Sequence, residues 1–191
     1  GSTAFRQPRA ESHCRYIHGY QLKAEITFAC NELDDNNWVF DFGGLKDLKH
    51  IYKTQFDHTL VVANDDPEIE LLKELNARGL AQLRIMTGGV GIERFAEWCF
   101  KTADSFVDEA TNGRVWVESV TVYEHDDNFA SYNKSTIKTE TVAEEPTKEP
   151  KQEVKPEPDP AQQDHNPRAA QVGNVVTQGK GNWFKGTSWG D

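Results

Sequence analysis

The sequence predicts an α+β domain, with helices packed on an antiparallel sheet, followed by a disordered tail. Residues 21–30 alternate between apolar and polar side chains, which is typical of a strand with one face in solvent. Residues 92–106 repeat apolar side chains at helical spacing. The segments run in the order strand, helices, strands, which favours segregated helices on an antiparallel sheet.

The first half of the domain follows from local patterns. After the strand over 21–30, residues 34–37 read Asp-Asp-Asn-Asn and predict a turn. Residues 38–42 form a short apolar segment, and apolar side chains at helical spacing over 45–52 then predict a first helix.

The second half contains two more helices and two strands. A shorter helix is predicted over 68–78, because Asp65-Asp66-Pro67 supplies a cap and a first-turn proline. The strongest amphipathic helix, over 92–106, ends before the turn Asn112-Gly113. Strands are predicted over 115–124 and 130–132.

Composition excludes several functions. The chain has 191 residues, a formal net charge of −10 and three cysteines. The negative net charge argues against nucleic acid or an anionic membrane as partner. The sequence also contains no apolar run of about 18 residues, the length needed to span a bilayer. An odd number of cysteines without scaffold spacing, and no secretory leader ahead of the domain, favour a cytoplasmic protein with free thiols.

The composition changes near residue 134. We predict a globular domain over 3–133, a disordered acidic linker rich in Pro, Lys and Glu over 134–178, and a glycine-rich tip with three aromatic residues over 179–191. The tip resembles a short docking peptide for a protein partner, although an inert terminus has the same composition.

Two short runs carry the chemistry. Cys14 lies four residues before His18, just ahead of a strand, and Asp57-His58 follows about forty residues later. A thiol and an imidazole–carboxylate pair are suited to proton transfer and nucleophilic chemistry. The alternatives are an ordinary loop cysteine and a helix-end pair that interacts with the helix dipole. Cys30 and Cys99 lie on apolar faces and are expected in the core.

Several segments together resemble the 6-pyruvoyl-tetrahydropterin synthase and 6-carboxytetrahydropterin synthase family. The resemblance covers residues 3–132, with residues 59–90 longer than the usual connection and interpreted as an inserted helix. It is carried, in family order, by Cys14-x-x-x-His18-Gly19-Tyr20, Asp41-Phe42-Gly43-Gly44-Leu45-Lys46, Phe56-Asp57-His58, the 91–98 helix entry, and Val120-x-Val122-x-Glu124 followed by Asn128-x-Ala130-x-Tyr132.

The resemblance implies a tunnelling fold, in which a four-stranded antiparallel sheet with helices on one face assembles into an oligomeric ring, a hexamer of two trimers. It implies that Cys14 is a general acid/base, that His58 shares its protons, and that Asp57 orients His58. It also implies that Glu124 binds a pterin through two hydrogen bonds. Glu93 is a second substrate-binding candidate, or a first-turn acid that stabilises its helix.

The family holds zinc with three histidines, and this chain departs from that pattern. Of the three positions only His18 is a histidine here, because the other two are Phe5 and Tyr20. His13, five residues before His18, is the substitute ligand that the sequence offers. A catalytic zinc site normally has three protein ligands and one open position.

Two functions follow. The first is a pterin-forming lyase that acts on dihydroneopterin triphosphate or a related pterin, in a homo-oligomer with sites between subunits. The second is a catalytically degenerate tunnelling-fold protein, kept as a binding or scaffold protein with a weakened or lost zinc site. The product and its pathway, whether a reduced-pterin cofactor or a queuosine precursor, stay open.

Overall fold

The computed structural model describes residues 1–134 and the backbone of residues 183–189. These residues form two four-stranded sheets and three α-helices. The predicted linker beyond residue 134, and the tip apart from the backbone of 183–189, lie outside the described residues. Within the described part, no helix is long and apolar enough to cross a membrane.

The first sheet has the strand order β2-β1-β4-β5. Its strands are β1 (Ser2–Phe5), β2 (His18–Gln21), β4 (Thr59–Ala63) and β5 (Leu83–Met86). β1 is antiparallel to β2 and parallel to β4, and β4 is parallel to β5. The predicted four-stranded antiparallel sheet is present as the second sheet, but four of the eight strands in the described residues belong to this additional, mixed sheet, which the sequence did not predict.

β4 shows why this mixed sheet is stable. All five of its residues are buried, as expected for a parallel strand covered on both faces. Val61 packs in the main core, whereas Leu60 and Val62 pack on the other face against Leu72 of helix α2 (Ile69–Ala77). The segment 59–90, interpreted from sequence as an inserted helix, thus also supplies two strands.

The second sheet is antiparallel throughout and has the order β7-β6-β3-β8. Its strands are β3 (Lys23–Cys30), β6 (Val115–His125), β7 (Asn128–Asn133) and β8 (Trp183–Trp189). Ile26 and Phe28 of β3 face the core with Val120 and Val122 of β6, which confirms the alternation seen in the sequence.

Helix α3 covers this sheet, and helix α1 packs against α3 and β4 to complete the core. Helix α3 (Ile92–Thr111) buries Phe95, Ala96, Cys99, Phe100, Ala103 and Val107 along one side. Helix α1 (Lys46–Phe56) buries Leu48, Tyr52 and Phe56, and the Tyr52 hydroxyl donates to the Cys99 carbonyl. The sequence prediction that Cys30 and Cys99 are core residues is confirmed, since their exposed fractions are 0% and 2%.

Candidate active site

Three side chains gather on one face of the β1–β2 pair. Phe5 is the register partner of His18, and Tyr20 follows two residues later on the same face. The ring centroids are 4.6 Å apart for Phe5 and His18, 5.6 Å for His18 and Tyr20, and 6.1 Å for Phe5 and Tyr20. We call these three residues the ring cluster.

His18 has a defined orientation within this cluster. Its Nδ1 lies 2.8 Å from the Tyr16 carbonyl oxygen. Because a carbonyl only accepts, Nδ1 carries the proton and Nε2 keeps its lone pair. The half-buried imidazole can therefore accept a proton or a hydrogen bond through Nε2.

Glu124 lies near the end of β6, and its charge acts on Tyr20 of the ring cluster. Burial raises the pKa of its carboxyl, and the nearby Glu93 carboxylate raises it further, whereas His18 and His125 act in the opposite direction. Within residues 1–134, no side chain or backbone group forms a hydrogen bond with the Glu124 carboxylate. A partly buried acid without a partner is costly unless a ligand supplies one.

Glu93 lies in the first turn of α3, as predicted, and its side chain is exposed. Its charge raises the pKa of the Glu124 carboxyl. Glu93 is thus a second candidate for contact with the substrate.

Cys14 lies in the connection between β1 and β2. It lies in a 3₁₀ turn, His13–Arg15, whose cap is Ser12, and its thiol is free and half-buried. Burial raises the pKa of Tyr20, and the Glu124 and Cys14 charges raise it further. The charges of Cys14 and Glu124 thus both favour the neutral form of the Tyr20 phenol.

Asp57 and His58 form a pair at the junction between α1 and β4. His58 Nδ1 lies 3.1 Å from Asp57 Oδ1, and the same oxygen accepts from the Ser2 backbone N–H at 3.3 Å. The Ser2 hydrogen bond is the main cause that lowers the pKa of Asp57. The carboxylate orients His58 so that Nε2 is left as the basic nitrogen.

The junction itself holds His58 in an unusual conformation. Its φ is +57°, a left-handed value that is uncommon for residues other than glycine. The side chain of His58 is 85% exposed. The imidazole therefore points into solvent within the protomer, where a substrate or a second copy can reach it.

Within one protomer the thiol and the Asp57-His58 pair are apart. Asp57 contacts Ser2 at the start of β1, whereas the Cys14 carbonyl accepts from Gln7, which follows the end of β1. The strand β1 rises about 3.3 Å per residue, so the two groups lie at opposite ends of it. Cys14 and the Asp57-His58 pair therefore do not meet within one protomer, and their expected convergence between subunits stays a prediction.

A cavity of about 770 Å³ connects Glu124 with Asp57. Lys49 and Lys53 of α1, Lys23 of β3, and Tyr52 also line it. These lysines were not among the residues predicted from the sequence, although Lys49 and Lys53 are spaced by four residues and so lie on one helix face.

The residues at the expected zinc position do not fit zinc. A phenyl ring has no lone pair, and a neutral phenol is not among the usual zinc ligands. His13 is exposed in the 3₁₀ turn, and no group of three His, Cys, Asp or Glu residues in the described part of the chain could hold a metal ion. The expectation that His13 and His18 bind zinc is not confirmed.

Comparisons with known proteins agree on a single family. A family model described as 6-pyruvoyl tetrahydropterin synthase matches residues 2–135. The 6-carboxy-5,6,7,8-tetrahydropterin synthase of Rickettsia typhi is 40% identical over 60 residues, which are 31% of this chain and 44% of that protein. The aligned segment thus spans less than half of this curated relative.

Solved structures share the fold. A protein from Wolinella succinogenes described as uncharacterized aligns with a TM-score of 0.61 and 19% identity, over 70% of this chain and 93% of that one. The 6-pyruvoyl tetrahydropterin synthase of Plasmodium vivax aligns with a TM-score of 0.51 and 14% identity, over 70% and 90%.

Proposed function

Because this chain belongs to the 6-pyruvoyl tetrahydropterin synthase family, we propose that it is a pterin-forming lyase acting on dihydroneopterin triphosphate or a related pterin. The observation that carries the proposal is the Glu124 carboxylate, which lacks a partner among residues 1–134 and lines the 770 Å³ cavity. The two hydrogen-bond donors of an amino-pyrimidine edge match its two oxygens.

The remaining residues are assigned to the substrate side chain. His58 Nε2 takes a proton from the side chain, and Asp57 stabilises the imidazolium that forms. The electron pair of the broken C–H bond forms a carbon–carbon double bond, the adjacent bond between carbon and the triphosphate oxygen breaks, and the triphosphate leaves with the electrons of that C–O bond. Cys14 exchanges protons with the same side chain from the other end of the site.

The lysines of the cavity suit the polyphosphate. Lys49 and Lys53 extend from α1 into the cavity that holds Glu124. A pterin anchored at Glu124 therefore lies in a cavity lined by two ammonium groups, which bind phosphate as compact point charges.

We further propose that the complete site requires a second copy of the chain. Cys14 and the Asp57-His58 pair lie at opposite ends of β1 in one protomer. In a homo-oligomer, which the family resemblance implies, Cys14 of one copy meets the pair of another. The His58 side chain is exposed in the protomer, so a second copy can approach it.

The activity test uses the full chain and dihydroneopterin triphosphate. We expect release of inorganic triphosphate together with a new pterin product, and a fall of at least about a hundredfold in Cys14→Ala and His58→Ala. Cys30→Ala, which changes a buried thiol outside the site, is the control. No release of triphosphate by the wild-type chain, with or without added zinc, would refute the proposal.

A further inference from the structure

We propose that the ring cluster is a metal-free replacement of a zinc site, in which the Tyr20 hydroxyl contacts the substrate directly. The inference deepens the proposed function, since the substrate is the pterin of that function. The metal-binding part of the inference is tested by zinc analysis and titration, which need no turnover, so its outcome is independent of the proposed lyase activity.

The backbone retains the arrangement of a three-ligand site. Phe5 and His18 are register partners on neighbouring strands, and Tyr20 is two residues beyond His18. Strand geometry directs all three side chains to the same face. The three positions therefore converge whatever residues occupy them.

The spacing of the rings is that of ligands around an ion. A zinc–nitrogen bond is about 2.1 Å and an imidazole centroid lies about 1.1 Å farther out, so three imidazoles at tetrahedral angles have centroids about 5 Å apart. The observed separations are 4.6, 5.6 and 6.1 Å. The cluster has the dimensions of a metal site and lacks two of its ligands.

Phe5 closes the space where an ion would lie. Its side chain is 1% exposed and also packs edge-on against Phe95, with centroids 5.0 Å apart. A cation placed beside this phenyl ring would lose hydration and gain no lone pair in return. The cluster is thus stabilised as part of the hydrophobic core.

Tyr20 supplies the polar group that remains. Its ring contacts Phe5, His18 and His125, with centroids 6.1, 5.6 and 6.4 Å away. No hydrogen bond involves its hydroxyl within residues 1–134, although the ring is half-buried. An ordered phenol without a partner, near both Cys14 and Glu124, is placed to donate to a bound pterin side chain.

The metal test compares the wild-type chain with Phe5→His/Tyr20→His. Both are purified without chelator, analysed for zinc, and titrated with zinc chloride by calorimetry. We expect no stoichiometric zinc in the wild type and one zinc per chain in the double variant, lost again when His18→Ala is added. Tyr20→His alone, which leaves the buried Phe5 intact, should bind at least about a hundredfold more weakly than the double variant.

Two results would overturn the metal-free assignment. One is stoichiometric zinc in the wild-type chain that disappears in His18→Ala. The other is a folded double variant, with the circular dichroism spectrum of the wild type, that takes up no zinc.

The role of Tyr20 is tested with Tyr20→Phe, which keeps the ring and removes only the hydroxyl. We expect kcat/KM for the pterin to fall about tenfold or more, with thermal stability unchanged and with no effect of added chelator on the wild type. Tyr132→Phe, on β7, is the matched control. Unchanged kinetics in Tyr20→Phe would refute the role, and a wild type that turns over only with zinc would refute the inference while leaving the lyase function intact.

Discussion

Glu124 destabilises the free protein through its partly desolvated carboxyl, and the same carboxyl is the group proposed to bind the pterin. Its carboxyl is partly desolvated beside Glu93, which raises its pKa, and no group in residues 1–134 compensates it by a hydrogen bond. Such a group is expected where a ligand completes the environment, because an uncompensated buried charge destabilises the free protein.

Replacing Glu124 by Gln should weaken pterin binding by at least about tenfold, because the amide offers one acceptor where the carboxylate offers two charge-assisted ones. The measurement is calorimetric titration with a non-reacting pterin. Glu118→Gln, on the same strand, is the control. Equal affinities for wild type and Glu124→Gln would refute the anchoring role.

The same substitution should not destabilise the free protein. A carboxyl whose pKa is raised by folding stabilises the native state fully below its unfolded pKa, and this contribution is lost as the pH rises through the folded pKa. At pH 7 we therefore expect the Tm of Glu124→Gln to equal or exceed that of the wild type, with the difference shrinking toward pH 4. A Tm at pH 7 that is clearly lower in Glu124→Gln would contradict the raised pKa of Glu124.

The sequence predicts individual site residues better than their grouping. The run Val120-x-Val122-x-Glu124 indicated Glu124, and strand alternation brings His18 and Tyr20 to the same face of β2. The sequence did not reveal that Cys14 and Asp57 lie at opposite ends of β1, because that separation depends on how β1 pairs with β2 and β4. The cavity lysines were missed because surface lysines are common in helices and carry no signal until the cavity is seen.

At the scale of elements, helix α1 presents a basic face to the cavity. Lys49 and Lys53 line it, whereas Lys46 at the start of the helix does not. Lys46 therefore differs from Lys49 and Lys53 in its position relative to the cavity, while it has the same charge and lies on the same helix.

Changing Lys53 to Gln should raise KM for the triphosphate substrate several-fold and leave the affinity for the dephosphorylated pterin unchanged, because only the phosphates meet the cation. Steady-state kinetics and calorimetry give the two numbers. Lys46→Gln is the control on the same helix. An equal loss for both ligands would show that Lys53 does not act on the phosphates.

Strand β8 covers the outer edge of β3. Its seven residues pair antiparallel with β3 from Ala24 to Cys30. Without β8, β3 would be a sheet edge with exposed backbone hydrogen-bonding groups, which favours pairing with other chains. The predicted docking role of the aromatic tip concerns side chains outside the described residues, but its backbone has a partner in this chain.

A chain ending at residue 179 should therefore exchange the amide hydrogens of residues 24–30 faster than the full chain. Hydrogen exchange followed by mass spectrometry measures this, and the amides of β7 serve as the internal reference. We also expect self-association of the shortened chain to increase with concentration. Unchanged protection of β3 would mean that β8 does not hold this edge.

Elements whose apolar side chains repeat regularly along the sequence were predictable. Elements that depend on pairing with strands far away in the sequence were not. β3, α1, α3 and β6 follow from alternation or helical spacing over eight or more residues. β4 is a run of five buried residues without alternation, and β5 has only four residues, so their patterns do not distinguish a strand from a helix. β8 has three aromatic residues and one glycine without alternation, and it is a strand through its pairing with β3.

For the whole molecule, the two halves of the proposed site explain why one copy is incomplete. Within one copy Glu124 shares its cavity with Asp57, whereas Cys14 lies at the other end of β1. If two copies share each site, a chain that lacks the thiol and a chain that lacks the imidazole can complete each other, because mixed sites receive one intact half from each.

The most direct test mixes Cys14→Ala with His58→Ala after each has been shown to be inactive. We predict that co-refolded or co-expressed mixtures recover up to about a quarter of wild-type triphosphate release per chain. Either variant refolded alone should recover none. No recovery in mixtures that demonstrably contain both chains in one oligomer would contradict a site built from two copies.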